Sequence, residues 1–275
     1  MENILEDLQK HLNNFLDKEF FILHFCSSLM MFTGCLVYVI LFFQPATYGR
    51  YSNATGNLLF CAIPARTAWF LQEVPAFMVS VVLVFLVFLE WLPGGYTRTQ
   101  LFVLSWFICH YFQRSFIYSL SITGGKPTPF YAFFLAFVFC TGNGYMQARG
   151  ALLLSNYPDD LLTKLRVTLG LVLFCLGIYS NMKCDHMLRN LRKPGETGYK
   201  IPRGFLFDYV SCGNFFGEII EWIGFAIASW STVGAAFAFF TIANLVPRAV
   251  THHRFYHQKF DDYPKSRKAV IPFLL

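Results

Sequence analysis

The sequence predicts an all-α integral membrane protein, a bundle of seven transmembrane helices with cytoplasmic loops. Three observations predict this class: 55% of the 275 residues are hydrophobic, only 14% are charged, and long apolar stretches recur along the chain. A soluble domain averages roughly 25% charged residues. The composition therefore excludes a disordered chain, an ordinary soluble domain and nucleic-acid binding as the main function, and it makes membrane lipid the expected surroundings.

The N-terminal end is expected to precede the bilayer-spanning part. Residues 1–19 lean acidic and have apolar side chains near helical spacing, namely Ile4, Leu5, Leu8, Leu12, Phe15 and Leu16. That spacing predicts a short amphipathic helix at the membrane interface. Residues 1–19 are therefore interpreted as an N-terminal extension, and residues 20–275 as one seven-helix membrane domain with a cytoplasmic C-terminal tail.

Seven apolar stretches are long enough to span a membrane, since a spanning helix needs about 20 largely apolar residues. In chain order they are Phe20–Phe43, Val74–Pro93, Leu101–Ile122, Pro129–Leu154, Leu161–Met182, Phe205–Ile227 and Ala228–Val246. The third and the sixth carry polar side chains and should score poorly on hydropathy alone. The boundary between the last two depends only on the break Ala228-Ser229-Trp230-Ser231.

The basic residues predict the orientation of these spans. Most of the 22 Lys and Arg fall in the segments 44–73, 123–128 and 183–204 and in the tail from residue 247, all on one side of a seven-span topology. Positive residues favour the cytoplasm. The C-terminal tail is therefore expected to be cytoplasmic.

The eight cysteines predict no metal site. They are scattered singly, mostly within apolar runs, and no C-x-x-C pair occurs. Such cysteines are typical of small buried hydrophobic residues with reduced thiols.

Polar side chains recur at helical spacing inside or beside the apolar stretches. They are Tyr111, Arg114 and Tyr118; Asn181, Asp185, Arg189 and Arg192; Asn214, Glu218 and Glu221; and, on other segments, Glu73, His252 and Tyr256. A single Glu beside an Arg could be a structural ion pair, Arg189 is typical of a topology anchor, and a Tyr at the bilayer edge is common. Three separate stripes in one bundle instead predict a wet cavity that opens to the cytoplasm.

The residue types in these stripes suit a dinucleotide. Arg192 and Lys193 can bind phosphate, and the Asn, Asp and Glu side chains can bind ribose hydroxyls or a carboxamide. No G-x-G-x-x-G follows a strand, so a Rossmann site is not predicted. A dinucleotide would have to be held by helices and cytoplasmic loops.

Six segments carry a family resemblance. They are ARTAWFLQE at 65–73, HYFQR at 110–114, FCTGNG at 139–144, LRKPGETGYKIPRG at 191–204, GEIIEW at 217–222, and the stretch from HHRFY at 252–256 to YPKSRK at 263–268. Together they resemble the steroid 5α-reductases, the 3-oxo-5-alpha-steroid 4-dehydrogenase family, over roughly residues 45–275. Asn190 and the run 197–200 are more similar to the type 1 members than to the type 2 members.

The resemblance implies a seven-span enzyme of the endoplasmic reticulum membrane that uses NADPH. It implies reduction of the Δ4 double bond of 3-oxo steroids such as testosterone and progesterone, without an obligate protein partner. Glu73 and Tyr111 would act on the 3-ketone, beside substrate-binding Trp69, Gln72 and Arg114. The cofactor residues implied are Tyr118, Asn181, Asp185, Arg192, Tyr199, Asn214, Glu218, His252 and Tyr256.

Other functions remain open at the level of sequence. A related membrane enoyl-thioester or polyprenol reductase would use the same cofactor on a different alkene, and a membrane methyltransferase would use S-adenosylmethionine. A transporter is the alternative from another class, although no inverted repeat is visible. Asn244 makes either a helix–helix hydrogen bond or a contact with the steroid.

Overall fold

Helices make up most of the chain. The computed structural model describes residues 2–46, 49–51, 62–92, 96–193, 196 and 198–275, with backbone only for residues 2–13, 50 and 62. Its α-helices are α1 (Glu2–Phe43), α2 (Ala65–Phe88), α3 (Arg98–Phe112), α4 (Phe130–Leu153), α5 (Leu161–Arg189), α6 (Gly213–Ser229) and α7 (Thr232–Lys259). Two-residue strands β1 (Ala62–Ile63) and β2 (Thr128–Pro129) pair antiparallel ahead of α2 and α4. The all-α class is confirmed, apart from this short pairing.

Within the part of the chain that the structure describes, four helices are long and apolar enough to cross a membrane: residues Asn14–Phe43 of α1, and the whole of α2, α5 and α7. The chain is thus a multi-pass membrane protein by helix length and composition. Helices α3 and α6 have only 15 and 17 residues. The predicted fourth span corresponds to α4. Polar side chains in its second half, Asn143, Gln147 and Arg149, lower its mean hydropathy, so α4 is not one of these four helices. Seven spans remain a prediction.

The predicted sixth span begins too early. Phe205–Asp208 is a 3₁₀ turn, and α6 starts only at Gly213. Gly204 and Phe205 have φ of 91° and 53°, which an α-helix does not accommodate. The break before α7 lies at left-handed Trp230 (φ 47°), and the Ser231 hydroxyl caps α7 by accepting from the Gly234 N–H at 3.1 Å.

The predicted seventh span ends too early, because α7 continues past Val246 to Lys259. His252 and Tyr256 therefore lie on a helix, one turn apart. The predicted fifth span is likewise extended, since α5 runs to Arg189 and carries both Asn181 and Asp185.

The third predicted span is made of three kinds of helix. A capping box of Thr97 and Gln100 starts α3, and Gln113–Tyr118 continues it as a π-helix before a 3₁₀ turn at Ser119–Ser121. Arg114 and Tyr118 lie in the π-helical segment. Such segments are rare and occur frequently at functional sites.

Helix α1 is continuous through residues 19 and 20, where an extension was expected to meet a span. Glu19 is 5% exposed and receives hydrogen bonds from Arg149 Nε and Nη2, both at 2.6 Å, and from the Tyr145 hydroxyl at 2.9 Å. This buried ion pair joins α1 to α4. The amphipathic character of residues 2–13 depends on side chains outside the described part of the chain and stays a prediction.

An aromatic core fixes α3 against α6 and α7. Phe107 packs against Trp222, Phe225 and Phe237, with ring centroids 5.9–6.1 Å apart. Tyr111 follows Phe107 by one helical turn, and their ring centroids are 4.7 Å apart. The core therefore holds the Tyr111 ring in place from one side.

Helices α5 and α6 are in backbone contact because glycines face each other. A Cβ on Gly177 would lie 2.3 Å from the Glu221 nitrogen, and one on Gly217 would lie 2.5 Å from the Asn181 nitrogen. Further along, a Cβ on Gly224 would lie 2.5 Å from the Phe174 nitrogen. Small residues permit this close approach between membrane helices. It brings the polar stripes of α5 and α6 side by side.

Candidate active site

A buried polar cluster on α2, α3 and α4 surrounds Tyr111. Tyr111 is 4% exposed, and Asn143 Nδ2 donates to its hydroxyl at 3.4 Å. On α2, Glu73 Oε1 accepts from Gln72 Nε2 at 3.5 Å, and the Cys140 thiol lies 3.9 Å from Glu73 Oε2. Tyr111 interacts electrostatically with both Cys140 and Glu73. The structure therefore brings Glu73, Gln72 and Tyr111 together from two helices.

Arg114 connects this cluster to α5. Its Nη1 donates to Asp185 Oδ2 at 3.1 Å, and both side chains are less than a tenth exposed. Its guanidinium lies 4.8 Å from the ring centroid of Trp69 and 4.3 Å from that of Tyr118. Glu73 and Glu218 also interact electrostatically with Arg114. Two aromatic rings and the carboxylates of three helices, α2, α5 and α6, therefore fix the position of this cation.

The stripes of α5 and α6 form one hydrogen-bonded network. Asn214 Nδ2 donates to Asp185 Oδ1 at 3.0 Å. Asn181 Nδ2 donates to the Asn214 carbonyl at 3.0 Å and to Glu218 Oε2 at 3.2 Å. The four predicted side chains thus converge, and Asp185 joins them to Arg114.

A cavity of about 460 Å³ adjoins this network. Its wall includes eight of the predicted site residues: Trp69, Tyr118, Asp185, Arg192, Tyr199, Asn214, His252 and Tyr256. The other six lie outside the wall, either in the cluster around Tyr111 or in the network of α5 and α6: Gln72, Glu73, Tyr111, Arg114, Asn181 and Glu218. The site residues are therefore contiguous, in two adjoining groups.

Cations in the cavity wall include three that the sequence reasoning did not select, Lys126, Arg189 and Arg248. Arg189 had been interpreted as a topology anchor. Its Nη1 is buried, and no acceptor for it exists among the residues that the structure describes. A buried guanidinium nitrogen without an acceptor is expected to bind an anionic oxygen of a ligand.

Aromatic side chains form another part of the cavity wall. The rings of Tyr51 and His252 stack with centroids 5.5 Å apart and an interplanar angle of 14°. Tyr199 packs edge-on to Phe255 at 5.0 Å, and Tyr256 stacks on Tyr263 at 5.2 Å. The cavity therefore offers flat apolar faces together with cations, which suits a nucleotide.

The loop after α5 is partly outside the described residues, since positions 194, 195 and 197 are among those the structure leaves out. Arg192 is exposed and its Nη1 donates to the Gly198 carbonyl at 3.3 Å. The Glu196 carboxylate accepts from the Lys200 ammonium and from the Lys193 N–H, and both bonds lower the pKa of Glu196. These bonds fold the loop back on itself next to the cavity.

Sequence reasoning placed Glu221 in the α6 stripe but missed its partner. His110 Nδ1 and Glu221 Oε1 are 2.6 Å apart, and both side chains are buried. The position of His110 directly before Tyr111 was the available signal. Asn244 accepts a hydrogen bond from Arg248 Nη1 on its own helix at 3.1 Å, and its expected contact with the steroid stays a prediction.

Comparisons with known proteins agree on one family. The family model described as 3-oxo-5-alpha-steroid 4-dehydrogenase matches residues 126–275. The 3-oxo-5-alpha-steroid 4-dehydrogenase 1 of Bos taurus is 46% identical over 263 residues, covering 94% of this chain and 98% of the relative. The type 2 enzyme of Rattus norvegicus is 49% identical over 84% of this chain and 89% of its own, and the type 1 enzyme of Homo sapiens is 45% identical over 88% and 91%.

These matches extend the similarity further than residues 45–275. A match to 94% of the chain includes much of α1. Identity to type 1 and type 2 enzymes is nearly equal, so the similarity to type 1 members rests on Asn190 and the run 197–200 alone.

Proposed function

The chain belongs to the 3-oxo-5-alpha-steroid 4-dehydrogenase family, and on this premise we propose that it is an oxidoreductase that reduces the Δ4 double bond of 3-oxo steroids with NADPH. Testosterone and progesterone are the expected substrates, and their 5α-dihydro forms the products. The observation that carries this proposal is the convergence of Glu73, Tyr111 and Arg114 beside a cavity lined with cations and aromatic rings.

The residues of the cavity fit NADPH, which when bound supplies the hydride. Arg189 and Arg192 would hold phosphate oxygens. Arg189 is the stronger candidate, because its Nη1 is buried and has no acceptor among the described residues. Asn214 and Asp185 would face ribose or carboxamide groups. The stacked rings of Tyr51 and His252 would hold a flat base. The proposed cofactor set is completed by Tyr118, Asn181, Tyr199, Glu218 and Tyr256.

Tyr111 would stabilise the charge that develops during reduction. Hydride addition at C5 moves the electron pair of the C4=C5 bond toward the 3-ketone oxygen, which becomes enolate-like. A hydrogen-bond donor aimed at that oxygen stabilises the transition state. Tyr111 would donate, and Glu73, held by Gln72, would orient or share the proton. One proton then adds at C4, so each turnover consumes one NADPH and one proton.

Arg114 would couple the substrate and cofactor groups. It interacts electrostatically with Glu73 and is bonded to Asp185, so it lies between the proposed ketone site and the cofactor cavity. Trp69 and Tyr118 enclose its guanidinium and would limit the access of water. Hydride transfer requires the protein to hold the donor and acceptor carbons against each other and to exclude water from around them.

We further propose seven spans in the endoplasmic reticulum membrane with the C-terminal tail in the cytoplasm. The cavity wall holds Lys126, Arg189, Arg192 and Arg248, all on segments predicted to be cytoplasmic or at the cytoplasmic end of a span. Protease digestion of a C-terminal tag in sealed microsomes tests the orientation. Protection of the tag without detergent would contradict it.

The proposed activity is tested with the detergent-purified protein, testosterone and NADPH. We expect dihydrotestosterone by mass spectrometry, with one NADPH oxidised per product molecule. A folded sample, shown by a cooperative thermal transition, that forms no product from any 3-oxo steroid would overturn the proposal. Turnover of an enoyl thioester or a polyprenol instead would favour the related reductases.

A further inference from the structure

We propose that Asn143 and Gln147 on α4 are positioning residues that aim the Tyr111 hydroxyl proton at the steroid ketone. This inference rests on the proposed function, in which Tyr111 donates to the ketone. It concerns the direction of a hydrogen-bond chain, Gln147 to Asn143 to Tyr111, that the proposed mechanism does not otherwise use.

The chain has a fixed direction because it starts at a backbone carbonyl. Gln147 Nε2 donates to the Val233 carbonyl at 3.2 Å. A carbonyl oxygen only accepts, so the amino group of Gln147 must face it. The same Nε2 donates its second proton to Asn143 Oδ1 at 3.0 Å. The amide oxygen of Asn143 is thereby assigned, and its amino group faces the other way.

The amino group of Asn143 is the one that reaches Tyr111. Asn143 Nδ2 lies 3.4 Å from the phenol oxygen, a long separation of the kind that tightens when a ligand is bound. A phenol oxygen that accepts from Asn143 keeps its own proton free for another acceptor. If the Asn143 amide were reversed, the Tyr111 proton would be directed to Asn143 instead of the steroid ketone.

The direction of this hydrogen-bond chain is important because its three side chains are buried. Asn143 is 1% exposed, Gln147 is 2% exposed and Tyr111 is 4% exposed, so bulk water does not replace these partners. In such surroundings each hydrogen bond polarises the next. As the ketone oxygen gains charge and draws the Tyr111 proton toward it, the N–H of Asn143 stabilises the electron density left on the phenol oxygen.

Asn143→Asp tests the direction with little change of shape. The Asp side chain still accepts from Gln147 but has no N–H to donate to Tyr111. We expect kcat for steroid reduction to fall by about 10- to 100-fold, while the KM for NADPH stays within about twofold. In a Tyr111→Phe background the same change should reduce kcat by less than about twofold, because Asn143 acts through Tyr111.

A spectroscopic measurement covers variants whose turnover is too low to measure. The absorption band of an enone shifts to longer wavelength when its ketone accepts a hydrogen bond. With NADP⁺ and testosterone bound, the shift should be present in the unaltered protein and absent in Tyr111→Phe and Asn143→Asp. Thr141→Val, on an outward-facing position of the same helix, should keep both the shift and kcat.

Gln147→Met provides a second variant if Asn143→Asp fails to fold. Methionine fills a similar volume but donates nothing, so Asn143 loses its fixed orientation and kcat should fall about 10-fold. Full activity and a full shift in either variant, or equal losses with and without Tyr111, would overturn the inference. An unaltered protein that reduces no 3-oxo steroid would instead count against the proposed function.

Discussion

Gly217→Ala is expected to weaken NADPH binding by moving Asn181. The added methyl group would lie 2.5 Å from the Asn181 nitrogen, whereas ordinary contacts begin at 3.4 Å. The neighbouring atom belongs to the backbone of α5, so the two helices must separate by about 1 Å. Overpacking of this kind costs about 1–3 kcal/mol of stability.

The displacement acts on two bonds of the proposed cofactor site. Asn181 Nδ2 now donates to the Asn214 carbonyl at 3.0 Å and to Glu218 at 3.2 Å. Lengthening each by about 1 Å takes them out of hydrogen-bond range. We therefore expect the Kd for NADPH, measured by fluorescence titration of the purified protein, to rise by about 10- to 100-fold.

Two control variants separate this effect from general damage. In Gly224→Ala the added methyl group would lie 2.5 Å from the Phe174 nitrogen, two helical turns from Asn181. This variant should therefore lower the melting temperature to a similar extent but change the Kd for NADPH less. Gly142→Ala has no atom within 4 Å of its added carbon and should change neither quantity. The reasoning is refuted if Gly217→Ala lowers the melting temperature but binds NADPH with unaltered affinity.

Three further predictions concern the other groups. Glu73→Gln should lower kcat at least 10-fold and leave the Kd for NADPH nearly unchanged, in steady-state and titration measurements; equal losses in both would contradict its placement at the ketone. Arg189→Ala should weaken NADPH binding by about 2–3 kcal/mol, and Arg192→Ala by less because Arg192 is exposed; the reverse order in titrations would argue against a phosphate at Arg189. Glu19→Gln should destabilise the fold by about 3–5 kcal/mol in denaturation, since it removes the negative charge from the buried ion pair with Arg149; an unchanged midpoint would show that α1 is held by other contacts.

Helical spacing correctly predicted which polar side chains share one face of a helix, because this spacing depends only on the sequence of that segment. The stripes of α5 and α6 could be read from intervals of three and four residues, and both stripes converge in the structure. Which helices meet is decided by pairs of glycines such as Gly177 and Gly217 opposite each other. A single sequence without relatives does not show such pairs, so the contact between Asn181 and Glu218 could not be predicted.

The predicted helix boundaries were wrong where local geometry overrides composition. The apolar run from Phe205 looked like a span, but the positive φ angles of Gly204 and Phe205 delay α6 to Gly213. Arg189 follows a span, as topology anchors do, yet the extension of α5 carries it into the cavity wall. Such outcomes depend on where a helix ends, which hydropathy determines poorly.

The π-helical turn after Tyr111 lets one helix contribute Tyr111 to the buried interior and Tyr118 to the cavity wall. Residues seven apart on a regular α-helix face nearly the same direction. The wider turn at Gln113–Tyr118 shifts this register, so Tyr111 points into the sealed interior while Tyr118 joins the wall of the open cavity. Removing one residue from this turn would restore regular winding and swing the Tyr118 ring off the guanidinium of Arg114. The length of this turn therefore sets how Tyr111 and Tyr118 are oriented relative to each other.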